Sequence, residues 1–209
     1  MDLTVWLAFA AASTALLMIP GPTVLLVLAY AVGQGRRVAV PTALGVATGD
    51  LIAMSASLAG LGALVLASAT LFTALKWAGA VYLVYLGIRM ILGARHATLA
   101  APEAEAALSP RAAFGNAATV TALNPKSIAF FIAFVPQFLD PSAPLLGQSV
   151  ILIATFVGLA MLNALLFAVA AARLRDLIRR PAVTQWLTRL GGITLIGMGV
   201  ATAAIRRST

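Results

Sequence analysis

The sequence predicts an all-α membrane protein of six transmembrane helices, arranged as two inverted three-helix repeats in which helices one and four are broken. Three observations predict it. Apolar residues make up 62% of the 209 residues and charged residues 10%, against about a quarter charged in a soluble domain, and the mean hydropathy is +1.02. About 20 apolar residues cross the hydrocarbon core once, so the length leaves room for roughly six to eight spans and no sizeable soluble domain. Proline-bearing breaks recur near the centres of the first and fourth apolar runs, at Pro20-Gly21-Pro22 and Asn124-Pro125.

The apolar runs place spans near 3–32, 38–66, 75–93, 112–138, 147–172 and 185–205. The first run lacks a Lys/Arg-rich start and is longer than the apolar core of a secretory signal, so it should stay as the first span. Its two central prolines remove backbone donors and clash with the preceding turn, which breaks the helix. Span two carries Gly45 and Gly49, a small-xxx-small face that permits close helix approach, followed by Asp50. Span three opens on Lys76 and Trp77, holds Gly79 and Gly87, and ends on Arg89; its charged and aromatic ends suit the membrane interfaces. In span four Asn124 can cap, and Pro125 can take the first position of a new half-helix. Pro136-Gln137-Phe138 then stops the helix near the outer face, with a gate as the alternative reading. Span five carries Asn163, and span six carries Gly191 and Gly192, which read as packing glycines.

Basic residues write the topology. Arg36 and Arg37 lie in the first loop, Arg95 and Arg111 in the third, and Arg173, Arg175, Arg179 and Arg180 in the fifth, while the loops near 67–74 and 139–146 carry no Lys or Arg. Basic loops are retained in the cytoplasm, so loops one, three and five should be inside and both termini outside; Arg206 and Arg207 run against this. The localisation expected is a bacterial-type inner membrane, with the lipid bilayer as surroundings. The polar stretch 94–111, with Pro102, Glu103, Glu105 and Pro110, reads as a flexible cytoplasmic linker. It joins a first three-helix repeat, 1–93, to a second, 112–209, within one transmembrane domain, 1–209.

The halves also match internally. Gly45 and Asp50 correspond to Gly158 and Asn163 at an offset of 113 residues, and Leu75, Gly79, Ala80 and Gly87 to Leu187, Gly191, Gly192 and Gly199 at 112. Glycine is common in membrane helices, so chance is the competing explanation. An odd number of spans per half nevertheless puts the halves in opposite orientations, the plan of many secondary transporters.

Non-helical backbone at membrane depth is tolerated only where protein or a water-filled cavity covers it. Each restarted half-helix aims free N–H groups at its break, a favourable place for a carboxylate. A single proline kink could serve packing alone; two in corresponding positions favour a binding site formed by Pro20, Gly21, Pro22, Asn124 and Pro125. Asp50 and Lys126 lie at a similar depth, where an unpaired charge costs about 2.5–3.5 kcal/mol. They either form a structural ion pair or act separately, Lys126 on a substrate carboxylate and Asp50 on an amino group or on a coupled proton. Asn163 either completes this pocket or makes an interhelical hydrogen bond.

Pro20-Gly21-Pro22, Gly45-x-x-x-Gly49-Asp50, Lys76-x-x-Gly79-Ala80-x-Tyr82-Leu83-x-Tyr85-Leu86-Gly87, Asn124-Pro125-Lys126 and Pro136-Gln137-Phe138 together resemble the LysE/RhtB family of lysine, homoserine, threonine and leucine exporters. The resemblance runs from span one to the glycines of span six. It implies export rather than uptake, amino acids or close analogues as zwitterionic substrates, and antiport against protons. The family varies at the position of Asp50, so substrate tuning stands beside its proton-coupling role. A homo-oligomer is compatible with the sequence.

Other classes fit less well. A small-ion or metal-ion transporter of the same architecture should gather carboxylates or soft ligands at the midplane, where this chain has one Asp, one Lys and no Cys. A non-transporting scaffold has no need of paired breaks. No nucleophile with a base, cofactor loop or Walker-type phosphate motif occurs, so neither an enzyme, nor a cofactor, nor ATP is expected. His96 is the only histidine and sits in the linker, so no metal site is expected. The formal net charge of +8 is spread over short loops rather than gathered on one patch, which argues against nucleic acid.

Overall fold

The computed structural model describes residues 1–19, 21–94, 108–140, 142–178 and 180–204. Among them eight α-helices follow in order: α1 Leu3–Met18, α2 Pro22–Gln34, α3 Ala39–Ala67, α4 Ala69–Gly93, α5 Pro110–Ala122, α6 Pro125–Ala133, α7 Leu145–Ile178 and α8 Pro181–Ala204. Short 3-10 turns occupy Gly35–Val38 and Val135–Phe138, and no strand occurs among the described residues. Helices α3, α4, α7 and α8 are each long and apolar enough to cross a membrane. The pairs α1 with α2 and α5 with α6 pass that test only together, which makes four spanning helices, or up to six if each pair is one span. The second pair, with the turn that follows it, bends by 46°.

Local chemistry sets the ends. Asp2 caps α1 by accepting a hydrogen bond from the Thr4 N–H at 2.7 Å, and that bond holds its carboxyl below the usual carboxylate range. The cap is therefore intact at neutral pH and is lost as the pH falls through that lowered value. Ser68 caps α4 through the Leu71 N–H, so this helix begins at Ala69 rather than near 75 and Lys76 lies two turns inside it. Ser109 caps α5, with Pro110 at its first position. The expected linker 94–111 is thus helical from Pro110, and its residues 95–107, with Arg95 and His96, lie outside the described residues, as do Pro20, Arg179, Arg206 and Arg207. Helix α7 continues to Ile178, beyond the expected end near 172.

Helix α4 packs chiefly on α8, α3 on α5 and α7, and α7 also on α2 and α1. The α4–α8 contact is a close backbone approach. A Cβ at Gly87 would lie 2.5 Å from Gly192 O, and one at Gly192 would lie 2.6 Å from Gly87 O. The α3–α5 contact is equally tight: a Cβ at Gly45 would strike Phe114 O, and one at Gly49 would lie 2.5 Å from Ala118 O. Gly79 meets Ala133 of α6, and Gly191 meets Ile19. In lipid, where apolar side chains gain nothing by leaving a solvent as apolar as themselves, such close van der Waals approach is a main source of helix association.

An aromatic cluster fills the interior beside α6. Phe130, Phe131 and Phe156 are fully buried, with Phe131 edge-on to Phe156 at 4.8 Å and Phe130 stacked on Phe134 at 5.3 Å. Gln137, in the turn after α6, donates to Thr202 Oγ1 at 2.7 Å and so ties that turn to α8. Val81, Tyr85, Ile88 and Leu92 of α4, and Leu162 and Leu166 of α7, point outward. These apolar faces are the lipid-facing surface of a membrane protein.

Candidate functional site

The site forms where the two interrupted pairs meet. A helix leaves its last carbonyls short of intrahelical partners. At the end of α1 the Leu16 carbonyl already accepts from the Ile19 N–H at 3.1 Å, and side chains reach Leu16, Leu17 and the capping residue Ile19. Lys126 Nζ donates to Leu16 O at 3.0 Å and to Ile19 O at 2.9 Å. Asn163 Nδ2, from α7, donates to Leu17 O at 3.2 Å. Two side chains distant in sequence thus satisfy the broken end of α1.

The start of α6 is held just as locally. Asn124 caps it, its Oδ1 accepting from the Lys126 N–H at 3.1 Å, and Pro125 takes the first helical position. Asn124 Nδ2 donates to Thr23 Oγ1 at 3.1 Å, and that hydroxyl shares a 3.3 Å hydrogen bond with Thr121. The first turn of α2 is thereby joined to the α5–α6 break. Asn124 is 2% exposed and Lys126 9%.

Asp50, from α3, is 1% exposed, and its Oδ1 has no hydrogen-bond partner. It lines the same small cavity as Thr23, Asn124, Lys126, Ser127 and Asn163, with a volume of about 20 Å³. That is room for about one water molecule. Both of the Lys126 ammonium bonds described above go to backbone carbonyls and not to the Asp50 carboxylate. Beside this cavity, on the lipid side, lies an apolar groove of about 310 Å³ lined by Met18, Leu159, Leu162 and Leu166. Leu17, Asn163 and Phe167 border both spaces.

Of the site residues named from sequence, Asp50, Asn124, Lys126 and Asn163 line one cavity. Gly21 lies against it: a Cβ there would sit 3.4 Å from Lys126 Nζ and 3.5 Å from its Cε. Pro22 and Pro125 act as the first residues of α2 and α6, and Pro20 is outside the described residues. Sequence reasoning missed Thr23 and Ser127, whose signal is only their adjacency to Pro22 and Lys126. It also missed the α1 carbonyls, because it weighed the N-terminal ends at each break and not the C-terminal end that Lys126 meets.

Two expectations follow. Gly21→Ala should leave stability and transport within a few-fold of wild type, since 3.4 Å is ordinary contact. Gly21→Leu should displace the lysine and reduce both, read by melting temperature and uptake into proteoliposomes. Asn163→Ala removes one interhelical hydrogen bond, worth about 0.6 kcal/mol on average in a membrane bundle. If transport falls far more than this small stability change accounts for, Asn163 contacts the substrate; if the two fall together, it only holds the bundle.

The family model described as LysE type translocator matches residues 14–204. A homoserine/homoserine lactone efflux protein of Salmonella typhimurium is 34% identical over 206 residues, covering 97% of this chain and 98% of its own. A leucine efflux protein of the same organism is 35% identical over 143 residues, 67% of this chain and 66% of its own. A membrane protein of Vibrio cholerae described as uncharacterized is 32% identical over 206 residues, 99% of this chain and all of its own. No solved structure matches the chain.

Proposed function

This chain belongs to the LysE type translocator family, and on that premise we propose that it exports amino acids or close analogues across the bacterial inner membrane by proton antiport with alternating access. The observation that carries this reading is the cavity in which a buried carboxylate without a hydrogen-bond partner, Asp50, and a buried ammonium, Lys126, line one space at the two helix interruptions. Opposite charges at that depth suit a zwitterion, and each is costly unless it is used or neutralised.

The substrate's amino group faces Asp50 and the α1 end, its carboxylate is within reach of Lys126, and Asn163 and Thr23 border it. The Salmonella typhimurium relative is named for the efflux of both homoserine and homoserine lactone. These two molecules share a primary amine, while only the first has a free carboxylate, so the amine is the common handle. A cavity of about 20 Å³ is too small for any amino acid, so the described arrangement is the closed member of an alternating pair. Asp50 exchanges the coupled proton.

Each interrupted pair acts as one span, giving six spans in two inverted repeats, α1–α4 and α5–α8. In support, several contacts pair up under such an exchange: α3 on α5 with α7 on α1, α3 on α6 with α7 on α2, and α4 on α8 with itself, whereas α4 on α6 has no comparable counterpart. The first, third and fifth loops are cytoplasmic, as their arginines require.

Counterflow tests the reading. Proteoliposomes containing the intact chain and loaded with unlabelled homoserine, threonine, leucine or lysine should take up the matching labelled amino acid, faster when a proton gradient is imposed. If no member of the panel moves, amino-acid transport is wrong.

A further inference from the structure

We propose that the broken end of α1 is a receptor for a primary ammonium group, and that Lys126 occupies it as a tethered competitor until the substrate's amino group displaces it. This rests on the amino-acid transport reading and names the part of the cavity that recognises the amine.

Three features of the site support the receptor. Leu16 O and Ile19 O converge on one nitrogen at 3.0 and 2.9 Å, at the end of a helix where the macrodipole is negative. An ammonium has three donors, and these carbonyls use two of them. Asp50 Oδ1 is buried, lacks a partner and lines the same cavity, so it can accept the third donor of an incoming amine.

Displacement follows from the accounting of hydrogen bonds. Lys126 keeps one donor beyond the two it gives the α1 carbonyls, so it is the incoming amine that forces the exchange. An ammonium that occupies Ile19 O requires the lysine to leave it, and the freed head group can then turn to the substrate carboxylate. A carbonyl left without a donor inside a membrane costs several kcal/mol. The substrate's own ammonium is a group of the right charge and donor geometry to take the vacated bond. The exchange conserves partners: the carbonyls trade one ammonium for another, and the released lysine gains a carboxylate. Lysine suits this role because its charge is a compact point on a flexible four-carbon stem. Gly21 borders the head group at ordinary contact distance, a Cβ there lying 3.4 Å from Nζ, so only a larger side chain would take that space.

The test separates the amine from the carboxylate. Leucine methyl ester and homoserine lactone carry an amine and no free carboxylate, whereas 4-methyl-2-hydroxypentanoate carries a carboxylate and no amine. Their binding is measured by calorimetry on the purified full-length chain and on Lys126→Met. With the tethered competitor gone, the ester and the lactone should bind the variant about tenfold more tightly or better, because a ligand that must first displace an occupant loses affinity in proportion to the competent fraction. The hydroxy acid should bind the variant more weakly.

A second measurement does not depend on the variant folding. Lys76 and Lys126 are the only two lysines, so protein carrying lysine labelled with carbon-13 at Cε gives two signals. Saturating ester should move that of Lys126 and leave that of Lys76. Unchanged or weaker ester binding in Lys126→Met, or a Lys126 signal unmoved at saturation, overturns the proposal. If ester and lactone bind neither protein while labelled leucine or homoserine is still carried, the receptor is wrong and the transport reading stands. If no amino acid is carried or bound, both fall.

Discussion

Asp50→Asn is expected to lower amino-acid transport by roughly 10- to 150-fold, the equivalent of one hydrogen bond to a charged group at about 1.5–3 kcal/mol, without lowering the melting temperature. The two halves of this expectation come from the same geometry. Asp50 Oδ1 makes no hydrogen bond in the folded chain, so replacing the carboxylate by an amide of equal size removes no described stabilising contact. It does remove a charge whose placement at the helix centre costs about 2.5–3.5 kcal/mol. A substrate ammonium, by contrast, loses the Asp50 carboxylate, the one carboxylate on the cavity wall among the described residues, and a coupled proton loses its carrier. Uptake driven by a proton gradient should therefore fall furthest, with exchange of substrate for substrate retained in part. Full proton-dependent transport by Asp50→Asn would remove the coupling role and leave Asp50 as a tuning residue. Equal loss of transport and stability would make it structural.

The largest effects on stability are expected at the helix crossings. Gly45→Ala places a methyl group against Phe114 O, and Gly87→Ala places one 2.5 Å from Gly192 O. In both cases the obstruction is backbone rather than the far end of a side chain, so a whole helix must shift. Overpacking of this kind typically costs about 1–3 kcal/mol, which for a chain of this size corresponds to a drop in melting temperature of about 2–12 °C. Gly158→Ala is the matched control, since nothing lies within 4 Å of its Cβ position. There the change should be neutral or slightly stabilising, because alanine is the better helix former by about 0.5–1 kcal/mol. Equal melting of all three variants would contradict the close α3–α5 and α4–α8 contacts.

The elements were legible in the sequence because long apolar runs and proline positions speak directly about helices in lipid. Helix α1 ends at Met18 and α2 starts at Pro22, and α5 ends at Ala122 and α6 starts at Pro125, beside the prolines that the sequence marks. Boundaries fared less well. Helix α4 starts at Ala69 because Ser68 caps it, and one serine among many apolar residues is too slight a signal to move a boundary from Lys76. In the site, Asp50, Asn124, Lys126 and Asn163 stood out because charge and amide groups are rare at that depth. Thr23 and Ser127 did not, since hydroxyls occur throughout membrane helices. The α1 carbonyls could not, because a backbone acceptor has no letter in the sequence. The partner of Lys126 was hidden for the same reason: 107 and 110 residues separate it from Ile19 and Leu16, and only the fold brings them together.

The central claim is that the cavity between the two interrupted pairs is the transport site. The chain has no cysteine, so Ser127→Cys introduces a single thiol on the cavity wall at nearly constant volume. Its rate of modification by a membrane-impermeant maleimide, measured from each side of oriented proteoliposomes with and without substrate, is the most direct test. The account predicts slow labelling from both sides, retarded several-fold by saturating leucine or homoserine, whichever the protein carries. Labelling that no transported amino acid slows would place the route elsewhere and contradict the account.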